Sequence, residues 1–328
     1  MENKFHRKIK NLNVKFMKAQ ELAKLIKEKY SYIMISSLTL GVVIGLNTNY
    51  PGTLLKRYST EFIFLMIASM GFTMTFSSFI SALKDLKGFL FGMFLNFVFA
   101  PMLCYITSLI VPDPELKTGI ILIGAVPCAG MAMVWTGLLE GDVPLAVVIG
   151  TGTMVLAPFF IPLIISYLAG HYVKIKITKI FLDLIYSILL PVIIGMCIRE
   201  IFKSKINIKN YLPLCPAISA VCAAFLMFIA VNVTTPLILR NSEMLLPLLI
   251  SSALIFPSLF VLAYISSKRL FNRAKNIALT YACGMKNLPI ALGIAIISFS
   301  TFTALPIAVG FIFQMSTAVL FYRIFGRW

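Results

Sequence analysis

The sequence predicts an all-α polytopic membrane protein with about ten transmembrane helices. Of its 328 residues, 59% are hydrophobic and 12% are charged, and the charged share is about half that of soluble domains. The mean hydropathy of +0.94 indicates a surface that mostly faces lipid. The apolar runs are long and continuous, whereas a transmembrane β-barrel needs alternating segments of about ten residues.

Ten apolar runs are candidate spans, because each ends at glycine, proline, asparagine or charged residues. Helices are the expected form, since backbone that faces lipid must satisfy its own hydrogen bonds. The predicted spans are 31–49, 58–83, 87–111, 118–139, 143–168, 179–199, 211–234, 244–266, 275–299 and 302–322.

The basic residues predict the orientation of these spans. With a cytoplasmic N-terminus, the segments on the inner side hold 21 of the 29 lysines and arginines. Cytoplasmic loops carry such an excess, so we expect a multi-pass protein of the cell membrane with both termini in the cytoplasm. The net charge of +17 is therefore explained by topology, and no nucleic-acid partner is expected.

Residues 1–30 form a separate basic segment that contains nine lysines and arginines. Apolar residues are interleaved with them, which is typical of an amphipathic helix on the inner leaflet. A solvated basic tail fits the same composition. Residues 31–328 are expected to form the membrane domain.

Two spans are interrupted by proline and glycine where an intact helix would avoid them. Span four contains Pro127 and Cys128 within the stretch 124–130, and span nine contains Lys286 and Pro289 within 283–289. Matched interruptions in the two halves of a transporter often mark its binding site. The span numbers differ by five, as a repeat of five plus five helices requires, so we expect broken helices 4 and 9 to cross.

Lys286 is a cation deep inside a predicted span, where it costs at least about 2.5–3.5 kcal/mol. We therefore expect it to pair with an anionic solute or to carry a proton. Asn287 beside it and Asn96 in span three are further buried polar groups that need partners.

Several segments resemble the bile acid:sodium symporter superfamily. Met70 to Met74, the stretch Asn96 to Pro101 and the run Gly284-Met285-Lys286-Asn287 are similar to its signatures in spans two, three and nine. The resemblance covers about residues 31–325. It implies two inverted five-helix repeats, here about 31–168 and 179–325, and a secondary transporter of a small organic anion.

The departures from this family concern the sodium sites. Family members place glutamate before the span-nine signature, where this chain has Ala282-Cys283, and glutamine where it has Lys286. Because an ammonium supplies one positive charge at that position, we expect transport that is independent of sodium or coupled to protons.

Span four also resembles the arsenite-exporter branch of the superfamily. The matching positions are Cys128, Met131, Val134-Trp135, Leu138 and Gly141-Asp142. The resemblance implies that the Cys128 thiol contacts a metalloid. The acidic residues that the branch places in spans nine and ten fall on Asn287 and Gln314. The residues expected to bind the substrate or an ion are Lys286, Asn287, Asn96, Cys128, Pro127, Pro289, Met131 and Gln314.

The sequence favours transport over two other classes of function. An intramembrane enzyme is not expected, because the spans contain no histidine and no catalytic motif. A receptor that no longer transports is a further alternative. The six cysteines form no CxxC pair and the two histidines lie outside the spans, so no metal or other cofactor is expected.

Overall fold

The computed structural model describes residues 20–26, 29–74, 85–172, 177–203, 208, 211–240 and 242–326. Within these ranges the regular secondary structure is helical and contains no strand, which confirms the all-α class. The helices are α1 Tyr30–Gly45, α2 Tyr50–Lys56, α3 Ser59–Thr73, α4 Leu86–Ser108, α5 Pro114–Ala125, α6 Met131–Leu138, α7 Val143–Ala169, α8 Ile177–Phe202, α9 Leu214–Arg240, α10 Leu245–Lys268, α11 Arg273–Gly284, α12 Leu288–Ser298 and α13 Leu305–Gly326.

In the described ranges, six of these helices are long and apolar enough to cross a membrane: α4, α7, α8, α9, α10 and α13. Shorter apolar helices lie within α1, α3 and α12. This content fits a polytopic membrane protein. The arrangement of ten spans in two inverted repeats stays a prediction.

The helices pack as two groups. In one group α9 lies against α1 and α3, and α8 lies against α3. In the other group α4, α5, α7, α10, α11 and α13 pack on one another, and α6 packs on α7 and α11. Helix α12 contacts both groups. The second half of the interrupted pair α11–α12 therefore lies at the boundary between the groups.

Close helix packing in the first group depends on glycine. Gly195 of α8 lies against the backbone of α3, where an added Cβ atom would be 2.6 Å from the Phe72 nitrogen. Gly71 of α3 faces Val192 of α8 in the same way, with 2.5 Å to the Val192 carbonyl oxygen. Small residues allow membrane helices to approach this closely.

Three of the predicted span boundaries differ from those of the helices. The second span ends as a helix at Thr73, and positions 75–84 of its predicted length lie outside the described residues. The seventh span was predicted as 211–234, but α9 continues through Pro236 to Arg240. Asn232 is buried within it and its side-chain oxygen accepts a hydrogen bond from the Gly52 nitrogen at 2.9 Å. The loop predicted after span one contains helix α2.

Most of the basic segment 1–30 lies outside the described residues, apart from 20–26, which are helical, and 29–30. Its predicted position on the inner leaflet is therefore not tested.

Candidate functional site

The two helix interruptions meet and are joined by backbone hydrogen bonds. Cys128 and Lys286 form an antiparallel β-bridge. The Ala129 nitrogen donates to the Met285 oxygen at 2.7 Å, and the Asn287 nitrogen donates to the Pro127 oxygen at 2.9 Å. The chain thus crosses itself between α5 and α6 and between α11 and α12, at the stretches that the sequence predicts.

Local sequence explains where the helices stop. Val126 has an extended conformation, with φ −69° and ψ 155°, because the residue before a proline is disfavoured in a helix. Asn287 caps α12 by accepting from the Ile290 nitrogen. Pro289 follows at the start of α12, where a missing N–H costs nothing.

The Lys286 side chain enters a closed cage of three oxygen atoms. Its Nζ atom lies 2.9 Å from Asn96 Oδ1, 3.2 Å from the Asn96 carbonyl oxygen and 3.2 Å from the Val126 carbonyl oxygen. Lys286 has 0% of its surface exposed. An ammonium has three N–H donors and no acceptor, so three acceptors satisfy it completely.

Helix α4 supplies a free carbonyl to this cage because its helical winding changes there. Residues Leu95–Phe99 form a π-helical turn, and the Ala100 nitrogen donates to the Leu95 oxygen rather than to Asn96. The next residue, Pro101, has no N–H to donate. The Asn96 carbonyl therefore lacks its usual partner within the helix, and the ammonium takes that place.

Two side chains complete the backbone hydrogen bonds at the crossing. Gln314 of α13 accepts from the Lys286 nitrogen at 2.9 Å and donates to the Lys286 oxygen at 3.1 Å. Thr153 of α7 accepts from the Cys128 nitrogen at 3.2 Å. Both side chains are buried. A buried N–H without a partner is costly, so these contacts stabilise the crossing.

A cavity of about 360 Å³ adjoins the crossing. Among the described residues that line it, none is aspartate, glutamate or histidine, and the one charged residue is Lys286. Thr151, Ser219 and Asn287 add polar groups. Seven methionines line it: Met70, Met74, Met131, Met133, Met154, Met285 and Met315. Such a polarizable wall suits apolar and aromatic groups.

The residues that the sequence singled out fall into two sets. Six of them line the cavity: Lys286, Asn287, Cys128, Met131, Pro289 and Gln314. Asn96 and Pro127 lie behind the wall, as cage ligand and as bridge acceptor respectively.

The sequence reasoning missed Thr153, Val126 and most of the methionines. A buried hydroxyl in the middle of a span was the available signal for Thr153. The oxygen of Val126 gave none, because every residue has a carbonyl.

The members of the arsenite-exporter pattern have separate positions. The Cys128 thiol lies at the cavity wall and donates to the Ala129 oxygen at 3.4 Å. Asp142 caps α7 by accepting from the Leu145 nitrogen at 3.0 Å. Trp135 stacks on Tyr281, with ring centroids 6.0 Å apart. Asp142 and Trp135 thus have structural partners, and Cys128 is the pattern's thiol at the cavity.

Comparison with known proteins gives one family. The model of the sodium bile acid symporter family matches residues 60–241. YocS of Bacillus subtilis (strain 168), an uncharacterized sodium-dependent transporter, is 24% identical over 81% of this chain and 82% of its own length.

Two further relatives are named for different transport roles. A probable chloroplastic sodium/metabolite cotransporter of Arabidopsis thaliana, BASS1, is 25% identical over 83% of this chain and 68% of its own length. The arsenical-resistance protein Acr3 of Alkaliphilus metalliredigens (strain QYMF) is 26% identical over 54% of this chain and 56% of its own length. The match of the family model to more than half of the chain places this protein in the sodium bile acid symporter family, whose members are membrane transporters and not enzymes.

Proposed function

We propose that the protein is a secondary transporter that carries a small organic anion without a coupled sodium ion. The observation that carries this proposal is the Lys286 ammonium, held by three oxygen atoms beside the cavity. Relatives are named as sodium-dependent, and the proposal departs from them in the coupling ion.

The three-oxygen cage supports a role for Lys286 as a tethered cation, which here means a positive charge that is covalently attached to the protein at the place where a free ion would bind. Its three ligands are oxygen atoms, the type that a hard cation such as sodium also prefers, and the ammonium already occupies the space between them. A sodium ion cannot share that space. We infer that the lysine supplies permanently the charge that a bound sodium ion would supply in each cycle.

The charge balance favours an anionic solute. Among the described residues, no carboxylate forms an ion pair with the Lys286 ammonium. A buried charge without a counter-charge costs several kcal/mol. An anion that enters the adjoining cavity lowers this cost, and the methionine wall accommodates its apolar part.

The orientation of the cavity completes the proposal. The start of α1, the end of α3 and the start of α9 contribute Tyr30, Met74 and Cys215 to its wall. In the ten-span topology these ends share the side on which both termini lie. We propose that this side is the cytoplasm, so that the cavity opens inward.

Uptake into proteoliposomes tests the proposal. Labelled benzoate and cholate serve as probes, with sodium outside in one set and choline in the other. We expect uptake or counterflow of at least one probe at equal rates in both salts. Uptake that requires sodium would overturn the tethered-cation proposal. An absence of counterflow for every anion tried would support a receptor that does not transport.

A second candidate, arsenite export, is favoured by the position of Cys128 at the cavity wall and by the relative Acr3. Expression in an arsenite-sensitive host tests it. Resistance that Cys128→Ser abolishes would support export. Cys222→Ser is the control, because Cys222 is buried in α9 away from the cavity lining. Unchanged resistance in Cys128→Ser would exclude the thiol from any such role.

A further inference from the structure

Each helix interruption is hydrogen-bonded to one polar side chain of the helix that follows the interrupted pair in the sequence, which is α7 after α5–α6 and α13 after α11–α12. Thr153 lies 25 positions after Cys128 and Gln314 lies 28 positions after Lys286, and Cys128 and Lys286 are the two members of the β-bridge. We propose that Thr153 and Gln314 are corresponding positioning residues that hold both interruptions as one rigid crossing and thereby keep Lys286 in its cage.

The geometry of a β-bridge explains why such side chains are needed. The bridge bonds use the Ala129 and Asn287 nitrogens. The nitrogens of Cys128 and Lys286 point to the opposite edges of the two extended segments, where the described part of the chain places no second strand. Without a side-chain acceptor, both N–H groups would be buried and unpaired, which is strongly unfavourable.

The two side chains are suited to this role. Thr153 has 0% of its surface exposed and its hydroxyl donates to the Gly150 oxygen at 3.0 Å. That bond orients the hydroxyl so that its lone pairs face the Cys128 nitrogen. Gln314 has 2% of its surface exposed and uses both ends of its amide on the Lys286 backbone.

The consequence is coupling between the halves. The Cys128 segment is bonded to α7, the Lys286 segment is bonded to α13, and the bridge joins the segments to each other. Loosening either side chain should therefore loosen both segments. This inference concerns the site of the proposed function, but it depends only on the backbone contacts and not on which ion drives transport.

Hydrogen–deuterium exchange of the full-length protein in detergent tests the inference without a transported solute. Thr153→Val removes the acceptor and keeps the shape of the side chain. We expect amide exchange in peptides covering 127–130 to rise about tenfold or more. Exchange in peptides covering 285–287 should rise as well, because the bridge transmits the change. Thr153→Ser, which keeps the hydroxyl, should restore slow exchange in both.

The control variant is Thr118→Val. Thr118 also has 0% of its surface exposed, but its hydroxyl donates to Pro114 of its own helix at 2.8 Å. We expect it to leave both peptides unchanged. Equal effects of Thr118→Val and Thr153→Val would overturn the inference, as would a Thr153→Val effect confined to 127–130.

Gln314 provides a second, independent measurement should Thr153→Val fail to fold. Gln314→Leu removes both contacts, whereas Gln314→Glu keeps an acceptor for the Lys286 nitrogen. The Lys286 oxygen keeps the Leu288 nitrogen as a donor at 2.9 Å. We expect fast exchange at 285–287 and at 127–130 in Gln314→Leu and slow exchange in Gln314→Glu. Equally fast exchange in the two variants would contradict a positioning role.

Discussion

Replacing Lys286 with glutamine should create a sodium site at the position that the ammonium now occupies. The substitution removes the ammonium and leaves the Asn96 side-chain oxygen and two backbone oxygens around an empty position. The glutamine amide adds a fourth oxygen from the same backbone position. Lys286→Met is the matched variant, because it fills a similar volume and offers no oxygen.

The magnitudes can be worked from the contacts. Three buried oxygens that lose their donor cost about 1–3 kcal/mol each. Removing a buried ammonium returns about 2.5–3.5 kcal/mol. The midpoints of these terms, about 6 kcal/mol lost and about 3 kcal/mol returned, differ by about 3 kcal/mol, and we therefore expect Lys286→Met to destabilise the protein by roughly 3 kcal/mol. Sodium bound at 100 times its dissociation constant would return about 2.7 kcal/mol to Lys286→Gln.

Thermal unfolding in detergent, in sodium chloride and in choline chloride at equal ionic strength, measures these terms. The wild-type protein should unfold at the same temperature in both salts. Lys286→Gln should unfold at a lower temperature in choline and recover in sodium, and Lys286→Met should be low in both. Stabilisation of the wild-type protein by sodium would refute the reasoning, and so would a Lys286→Met variant as stable as wild type in choline.

Three further predictions concern stability. Asn96→Ala removes one oxygen of the cage and should lower the free energy of unfolding by about 1–3 kcal/mol in urea titration. Gly195→Ala brings a Cβ atom 2.6 Å from backbone and should cost about 1–3 kcal/mol, whereas Gly137→Ala, with its nearest neighbour at 3.5 Å, should be tolerated in the same assay. Burial raises the pKa of Asp85, but hydrogen bonds from Lys275 and from backbone outweigh it and lower the pKa below its usual value. The stability that this carboxylate contributes should therefore be present at neutral pH and be lost as pH falls through the lowered pKa. The free energy of unfolding of the wild-type protein should exceed that of Asp85→Asn by under about 1 kcal/mol at pH 7, and the two values should converge in acid.

The proposed role of Lys286 as a tethered cation also predicts the charge that is moved in each transport cycle. Lys286 is covalently part of the protein and does not dissociate. Its charge therefore returns with the protein in each cycle and is not released on the other side of the membrane. The net charge carried in each cycle would then equal the charge of the solute. Current measured on a supported membrane should have the sign of the anion alone, and an electroneutral signal for a monovalent anion would contradict this.

The sequence alone determined the class of the protein and the position of its two interruptions. Hydropathy is set by composition over about 20 residues, and Pro127 and Pro289 act on their own neighbours, so both signals are local. Lys286 was identified for the same reason, since a charge inside an apolar run is visible without any fold.

Only the tertiary structure decided what these residues contact. The cage joins Lys286 to Asn96 and Val126, which lie 190 and 160 positions away along the chain. It depends on a carbonyl that a π-helical turn leaves free, and the sequence expectation that Gln314 contacts the solute gave no hint of its bonds to the Lys286 backbone. Backbone oxygens have no residue type and long-range contacts leave no local pattern, so the partners of a buried ammonium become known only when the helices are packed.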